Sequence, residues 1–439
     1  MSAQLSVPGL TKPVKPKPVK TVERTLASGL RVIVVRRPSV PIVEARLRIP
    51  FFSTKASHHA RTSLLSGSIL TGTAGRDRAG IAVALGELGA DLNISADADR
   101  LVLSSSTLSS GLPALLGLFA EVLTEASYPN AEVTGERERL LERIIMARSQ
   151  AGTLAADALA RRVAPGHPYG STLPSEEQVA AATAAQLRAL HASMIRPAGA
   201  SLILVGDLSP ARALDAVESA LAGWTGAAPA GTPTPVPALR QLPLLIVDRP
   251  GSVQTSLRFA GTAVPRDDPR YPALQLANLA FGGYFSSRWV ENIREQKGYS
   301  YSPRSSLDHQ PLGSTFSLTA DVATGVTGPA VLETLYELGR IASLPISDTE
   351  LESVRQYAIG SLALSTSTQS GLASTISSLI GSGLDAQWLT SHPSRLLEVT
   401  VEQVAEAAAE FLAPRKLIGV AVGDAGLITG PLAGIIEIE

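Results

Sequence analysis

Two stretches of the chain share one pattern: TAAQLRALHASMIRPAGASLILVGD, residues 183–207, and TVEQVAEAAAEFLAPRKLIGVAVGD, residues 400–424. In each, a Thr-x-x-Gln start predicts a capped helix, a proline follows it, and an apolar run ending in Gly-Asp predicts a buried strand. The threonines, prolines and aspartates of the second stretch all follow those of the first by 217 residues. A second similarity joins VIVVRRP, residues 32–38, to LLIVDRP, residues 244–250. The agreement in order and spacing predicts two homologous halves.

A Pro- and Gly-rich segment, AAPAGTPTPVPALRQLP, lies between the two halves and has neither a helical nor a strand period. It is the best candidate for a linker. We therefore expect four parts along the chain: an extended N-terminal tail at 1–21, a first half at 22–226, the linker at 227–243 and a second half at 244–439.

Strand-like and helical segments alternate within each half. In the first half, RVIVVRR and RLVLSSS are typical of strands, whereas LPALLGLFAEVLTEA and ERERLLERIIMARSQ carry apolar residues at helical spacing. This mixed order favours an α+β fold in which each half is an antiparallel-rich sheet with helices packed on one face. No glycine-rich phosphate-binding loop follows any of these strands, so nucleotide binding has no support.

Composition excludes several classes of function. The formal net charge of −1 comes from mixed acidic and basic residues, which indicates neither nucleic acid nor a membrane as a partner. The chain has no cysteine, so disulfides and thiolate chemistry are excluded. The long uncharged run up to Leu384 is rich in Ser, Thr and Gly, which predicts a buried pair of small-residue helices rather than a membrane span. The N-terminus lacks the apolar core of a signal peptide, so we expect a cytoplasmic protein.

The histidines show no local zinc motif. A helical zinc site needs two imidazoles about one turn apart, and no pair has that spacing. We expect all six to be surface residues or hydrogen-bonded core residues: His58, His59, His167, His191, His309 and His392.

Four further segments, in order along the chain, carry a resemblance to a known family. They are GELGADLNISADADRLVLSSSTLSSGLPALLGLFAEVL at 86–123, GERERLLERI at 135–144, GHPYG at 166–170 and FGGYFSSRWVENIREQKGYSYS at 281–302. They resemble the pitrilysin and insulinase family of metallopeptidases, the inverzincins, which includes the mitochondrial processing peptidase and carries an inverted H-x-x-E-H zinc motif. The last segment resembles the signature of that family's C-terminal half, which ends in R-E-x-x-G-x-x-Y.

The resemblance implies that the zinc site is degenerate. In the family, the zinc motif precedes a Gly-Thr pair, which here stands at residues 72–73. Reading back from it places three other residues where the family has two histidines and the catalytic glutamate: Ser63, Ser66 and Gly67. The distal glutamate ligand falls at Arg143, with the adjacent Glu142 as the alternative alignment. Such a set cannot hold zinc or activate its water. We therefore expect no cofactor in this chain and no peptide cleavage by the chain alone.

The segment from Phe285 to Tyr301 keeps the family's second motif. Phe285, Trp289 and Ile293 recur at helical spacing, which predicts a helix with one apolar face. The helix should end near the glycine that begins the sequence GYSYS. The alternation after this glycine predicts a short strand with both tyrosines of YSYS on one face. A guanidinium leaving the helix and a phenol leaving the strand would then converge.

Arg294 and Tyr301 match the family's arginine and tyrosine pair. The resemblance implies that they bind the peptide and stabilise the oxyanion, tasks that suit a planar guanidinium and a phenol. Tyr299 stands where the family usually has leucine, and we expect it to shape the local pocket or to contact substrate. A structural hydrogen bond or cation–π contact is the alternative role for the pair.

In some bacterial members of the family, one chain carries zinc and another carries the Arg and Tyr pair. The resemblance therefore implies a non-zinc subunit of a heterodimeric zinc metallopeptidase, with an HxxEH-bearing partner that holds the zinc and with peptide as substrate. The peptide would add along an exposed strand edge of the partner. One alternative is a non-catalytic scaffold or peptide-binding protein similar to the core subunits of respiratory complexes. A hydrolase that uses Ser63 or Ser66 as its nucleophile is a weaker alternative, since neither serine has a nearby base in the sequence.

Overall fold

The structure is a computed structural model that describes residues 18–229 and 233–439. The strands are β1 Thr21–Thr25, β2 Arg31–Arg36, β3 Ile42–Pro50, β4 Asp91–Ala96, β5 Arg100–Leu108, β6 Ser201–Gly206, β7 Leu245–Asp248, β8 Gln254–Thr262, β9 Arg304–Gln310, β10 Gly313–Ala323 and β11 Ile418–Gly423. The predicted tail at 1–21 lies almost entirely outside the described residues. Between Trp224 and Pro243, the described residues form neither helix nor strand.

The helices divide into two groups, one in each half of the chain. Those of the first half are α1 His58–Ser68, α2 Arg78–Glu87, α3 Leu112–Glu125, α4 Asn130–Arg148, α5 Ala151–Val163, α6 Glu176–Ala180, α7 Ala184–Met194 and α8 Pro210–Ala220. Those of the second half are α9 Tyr271–Asn278, α10 Arg288–Val290, α11 Thr327–Ser343, α12 Asp348–Ser365, α13 Gln369–Gly381, α14 Trp388–Glu398, α15 Val401–Ala407 and α16 Ala425–Ala433.

The strands form two sheets with one topology. The first sheet has the order β1-β2-β6-β3-β5-β4, and the second has the order β7-β11-β8-β10-β9. In each, the last strand of the half lies parallel to β2 or β7 and antiparallel to β3 or β8. Apart from β1, the two orders coincide strand for strand. The predicted α+β fold of two homologous halves is therefore confirmed.

Both predicted capped helices form by the same local chemistry. The Thr183 hydroxyl accepts the Gln186 N–H at 3.3 Å, while the Gln186 side chain accepts the Thr183 N–H at 3.1 Å. Thr400 and Gln403 repeat this capping box at the start of α15. The strands that follow, β6 and β11, are buried along their whole length. Two sequence signals, a cap and an apolar run, thus fix the corresponding elements of both halves.

The first sheet is covered on both faces. One face packs against helices of its own half, with a core that contains Leu47 of β3, Phe119 of α3 and Leu214 of α8. The opposite face carries Ile33 and Ile203, which belong to the core of the second half. Helix α13 packs there against β3 and β6. The predicted arrangement, with helices on one face, is thus extended by a helix from the other half.

The second sheet shows the reciprocal arrangement. Helix α5 of the first half packs against β8 and β11, where Ala155 and Leu159 form a separate core with Ala260 and Val420. Each half therefore contributes one helix to the sheet of the other. This exchange makes the two halves interdependent, because each sheet buries apolar side chains against a helix encoded far away in the chain.

The predicted pair of small-residue helices corresponds to α12 and α13, but the prediction that both are buried is wrong for the end of α12, where Leu364 is 74% exposed. Serines of α13 reach the first sheet, where Arg46 donates to the Ser370 hydroxyl at 2.8 Å and to the Ser374 hydroxyl at 3.2 Å. Gln369 adds a bond of 2.6 Å to the carbonyl of Arg37. Small polar residues in α13 thus permit close approach and hydrogen bonding between the halves. Of the helices described, none combines the length and apolarity needed to cross a membrane.

Candidate functional site

Arg294 is carried by an unusual helical segment. Helix α10 passes directly into a π-helical turn, Glu291–Gln296, which ends before Gly298 at a φ of +64°. Two other π-helical segments occur among the described residues, Leu279–Gly283 and Ala408–Leu412, so this geometry alone does not mark a site. Trp289 and Ile293 are fully buried, as the helical pattern predicts. The Trp289 ring stacks on Phe281 at 5.4 Å, so the segment is anchored firmly in the core.

The predicted apolar face of the helix is wrong at Phe285. The helix begins only at Arg288, and the preceding chain makes a turn in which the Ser287 N–H donates to the Tyr284 carbonyl at 3.2 Å. Phe285 therefore lies outside the helix and is 58% exposed. Its ring lies 4.6 Å from the guanidinium carbon of Arg294. The spacing predicted a core residue, but the turn makes Phe285 a surface neighbour of the arginine.

The structure brings Arg294 and Tyr301 together. The guanidinium carbon lies 5.1 Å from the centre of the Tyr301 ring, so Arg294 contacts two aromatic rings. Its Nε atom is 3.2 Å from a carboxylate oxygen of Glu295. Tyr301 is 82% exposed, whereas the arginine side chain is 29% exposed. Because guanidinium N–H groups radiate in its plane, contacts with ring faces leave donors available for a ligand.

The segment between the two residues differs from the predicted short strand. The Tyr299 N–H donates to the Ile293 carbonyl at 2.8 Å, which closes the helical segment. Ser300 pairs with Val322 in a single bridge, and no strand extends over the described residues from Tyr299 to Ser302. Tyr299 is half-buried against the core of the second half. Tyr299 and Tyr301 therefore have different surroundings, and a substrate contact by Tyr299 stays a prediction.

The positions assigned to the lost zinc site lie on two helices that pack together. Helix α1 carries Ser63, Ser66 and Gly67, and it packs against α4, which carries Arg143. A β-carbon on Gly67 would overlap the side chain of Glu136. Within the ranges 18–229 and 233–439, no three His, Asp or Glu residues lie close enough together to hold a metal ion.

Glu136 is the residue that the sequence analysis missed. It is 7% exposed, and its carboxylate lies 2.5 Å from Nη2 of Arg139 and 3.5 Å from Nη2 of Arg143. Arg78 approaches at 3.9 Å from the neighbouring helix. The sequence GERERLLERI already places Arg139 and Arg143 three and seven positions after Glu136. Residues with these spacings share one face of a helix. Positive side chains here surround a buried carboxylate.

Three of the histidines make structural hydrogen bonds, as the sequence predicts. His58 bonds the Phe51 carbonyl at 2.6 Å, His191 bonds the Tyr128 hydroxyl at 2.8 Å, and His392 bonds the Gln275 side chain at 2.6 Å. Burial, together with Arg395 and Arg266, lowers the pKa of His392 to about 3. Burial and Arg266 lower the pKa of His309 to about 4. Both imidazoles are therefore neutral near pH 7.

Sequence comparison identifies two family regions in the chain. Residues 62–176 match the family described as insulinase, peptidase family M16, and residues 181–357 match the peptidase M16 inactive domain. An uncharacterized zinc protease of Mycobacterium leprae is 24% identical over 405 residues, covering 91% of this chain and 90% of that protein. An uncharacterized zinc protease of Mycobacterium tuberculosis H37Rv is 25% identical over 289 residues, which span 66% of its length.

Solved structures show the same fold. The peptidase M16 inactive domain from Pseudomonas fluorescens is 25% identical, with a TM-score of 0.84 over 92% of this chain and 98% of that one. A protease from Helicobacter pylori is 17% identical, with a TM-score of 0.83 over 93% of this chain and 100% of that one. The two family regions, the zinc protease relatives and the inactive-domain structure lead to one assignment. The chain belongs to peptidase family M16, the insulinase family, as a member of the non-zinc type.

Proposed function

We propose that this chain is the non-zinc subunit of a heterodimeric zinc metallopeptidase. Its HxxEH-bearing partner holds the zinc, and this chain contributes Arg294 and Tyr301 to the shared active site. The observation that carries the proposal is the contact between these two side chains on an anchored π-helical turn, with the tyrosine 82% exposed. The absence of histidine and glutamate at the motif positions Ser63, Ser66 and Gly67 explains why a second chain is required.

The pair supplies donors to the reacting peptide. Zinc, bound in the partner, supplies an activated water for peptide hydrolysis. Negative charge then develops on the carbonyl oxygen, where the guanidinium of Arg294 and the phenol of Tyr301 donate hydrogen bonds. Phe285 and Glu295 hold the guanidinium by a ring contact and an ion pair. Such positioning before substrate binds reduces the cost of ordering a long side chain during the reaction.

The test mixes this chain with an HxxEH-bearing M16 subunit encoded beside it and measures cleavage of a fluorogenic peptide. We expect activity in the mixture and none with either chain alone. Arg294→Ala or Tyr301→Phe should lower kcat/KM by about 10²–10³, the usual cost of one oxyanion donor. Size-exclusion chromatography should show an unchanged complex, which separates a catalytic loss from failed assembly.

Matched controls come from the same half of the chain. Tyr336→Phe alters another exposed tyrosine, on α11, and Arg304→Ala alters an exposed arginine at the start of β9. Both variants should keep the activity of the mixture. Full activity of the partner alone would contradict the proposal. A complex that forms but cleaves equally well with both substitutions would instead indicate the scaffold role.

A further inference from the structure

A polar cavity of about 220 Å³ lies between the first sheet and the second half of the chain. Strands β3 and β5 contribute Arg46, Arg48 and Arg100 to its lining, while α13 and the end of β9 contribute Ser377 and His309. Its lining includes neither Arg294 nor Tyr301. Its walls are rich in hydrogen-bond donors, and both halves supply them.

The three arginines of this cavity differ in how closely a carboxylate approaches them. Arg46 has its own partner, Glu44, at 2.9 Å, and Arg100 forms an ion pair with Asp97. Arg48 has only Asp99, at 3.9 Å, and Arg100 approaches the same carboxylate oxygen at 3.7 Å. The Tyr169 hydroxyl donates to the other oxygen of this carboxylate. One carboxylate therefore serves several donors, and Arg48 is the least compensated of the arginines.

Arg48 is a buried cation with unused donors. Its side chain is 12% exposed, and no group of the described residues lies within hydrogen-bond distance of its guanidinium. The guanidinium lies against Gly381 at the end of α13, where a β-carbon would overlap it. Burial and the charge of Arg100 lower the pKa of Arg48. None of its nitrogen atoms is among the fully buried unpaired atoms, so its donors face space that an anion or water can enter.

Polar groups of the second half lie beside this region. The Nε2 atom of His309 is buried and has no partner among the described residues, while its Nδ1 atom contacts the Ser314 hydroxyl at 3.1 Å. The Nε atom of Arg266 is likewise buried without a described partner, and its Nη1 atom donates to the Ser378 hydroxyl at 3.4 Å. Ser378 lines the cavity as well. Donors thus reach the region from two directions.

We propose that the cavity binds a small oxyanion, with a phosphate group as the preferred ligand, held by Arg48 and Arg100 from the first half and by Ser377 and Ser378 from the second. A tetrahedral phosphate accepts hydrogen bonds in several directions, whereas a carboxylate accepts in one plane. The cavity has room for it, since one water needs only about 30 Å³. The bound anion links the two halves through charge-assisted hydrogen bonds.

The test measures binding of inorganic phosphate to the full chain by isothermal titration calorimetry, with acetate as the carboxylate probe. We expect one phosphate per chain and a higher Tm in phosphate than in chloride of equal ionic strength. Arg48→Met should weaken phosphate binding by at least about tenfold, because it removes a charge-assisted bond. Without phosphate, this variant should be at least as stable as the wild type, since it removes a buried charge.

Two further variants keep the test decisive. Ser377→Ala removes one hydroxyl that the second half contributes to the lining, and it should also weaken phosphate binding. Arg212→Met alters an exposed arginine on α8 and should leave binding unchanged. Equal stabilisation by phosphate and chloride would overturn the proposal, as would wild-type phosphate affinity in Arg48→Met. Tighter binding of acetate than of phosphate would overturn the preference for phosphate.

Discussion

Glu136 and Arg294 show how differently single charges are used in this chain. Glu136 is buried and lies close to the guanidinium groups of Arg139 and Arg143. Arg294 lies near the surface between the rings of Phe285 and Tyr301. Burial among opposite charges indicates a structural role, because removing either partner leaves an uncompensated charge. Partial exposure with free donors fits a group that meets a ligand.

The contact between Gly67 and Glu136 predicts a stability effect. A β-carbon at Gly67 would lie 2.7 Å from a carboxylate oxygen of Glu136, so the buried side chain must shift. Gly67→Ala should therefore lower the free energy of unfolding by about 1–3 kcal/mol, measured by urea denaturation. Gly86→Ala, in α2, meets nothing within 4 Å and should be neutral or slightly stabilising. Equal effects of the two substitutions would contradict the close contact.

His392 predicts a loss of stability on acidification. Its pKa is about 3 in the folded chain, below the value of about 6.5 for an unfolded chain, so the unfolded state binds the proton first. The stability that depends on the neutral imidazole is complete above about pH 6.5 and is lost as the pH falls toward 3. His392→Gln should flatten the decline in unfolding free energy between about pH 7 and about pH 5. Parallel profiles for variant and wild type would disprove this contribution.

Among the elements, the π-helical turn and the residue that ends it decide where Tyr301 lies. Gly298 adopts a φ of +64°, and the Gly298 N–H donates to the Arg294 carbonyl at 3.2 Å. The chain then returns to the second sheet through the bridge between Ser300 and Val322. The glycine conformation therefore sets the direction of the segment that carries the tyrosine.

Gly298→Ala tests this element. An added β-carbon would meet nothing within 4 Å, so the cost comes only from the left-handed backbone, about 1–2 kcal/mol. We expect that loss in urea denaturation and, with a displaced tyrosine, a lower kcat/KM in the two-chain mixture. Gly339→Ala, in α11, also has open space but a helical backbone, and it should leave both measurements nearly unchanged. A variant as stable and active as the wild type would show that the left-handed turn is dispensable.

At the scale of the whole molecule, the exchanged helices α5 and α13 join the halves. Helix α5 lies on the second sheet and α13 on the first, and polar contacts such as that of Arg46 with Ser370 reinforce the exchange. The cavity that Arg48 lines lies beside the same junction. Because each sheet needs a helix from the other half, the unfolding of either half exposes apolar surface of both.

This interdependence predicts one cooperative unfolding transition. Differential scanning calorimetry of the full chain should show a single peak whose calorimetric and van't Hoff enthalpies agree. The fluorescence of Trp224 reports on the first half, and that of Trp289 and Trp388 on the second. One variant should keep only Trp224, and another should keep only Trp289 and Trp388. In each variant, the midpoint of the fluorescence transition should equal the calorimetric Tm of that same variant. Two separated peaks would show that the halves unfold independently.

The sequence by itself determined the repeated halves, the main strands and helices, and the pairing of Arg294 with Tyr301. These features depend on local signals: hydrophobic periodicity, capping residues and turn glycines act over a few neighbouring residues. The Thr-x-x-Gln starts and the apolar strands behind them formed as predicted in both halves. The motif of Arg294 and Tyr301 was recognisable because its two residues are only seven positions apart and resemble the family's pattern.

Only the tertiary structure decided which residues are buried, and against what. It placed Phe285 at the surface, Glu136 among arginines and Arg48 against Gly381 of the other half. It also exchanged α5 and α13 between the two sheets. Each of these outcomes depends on contacts between residues far apart in sequence. Burial and desolvation are properties of such contacts, and no local pattern specifies them.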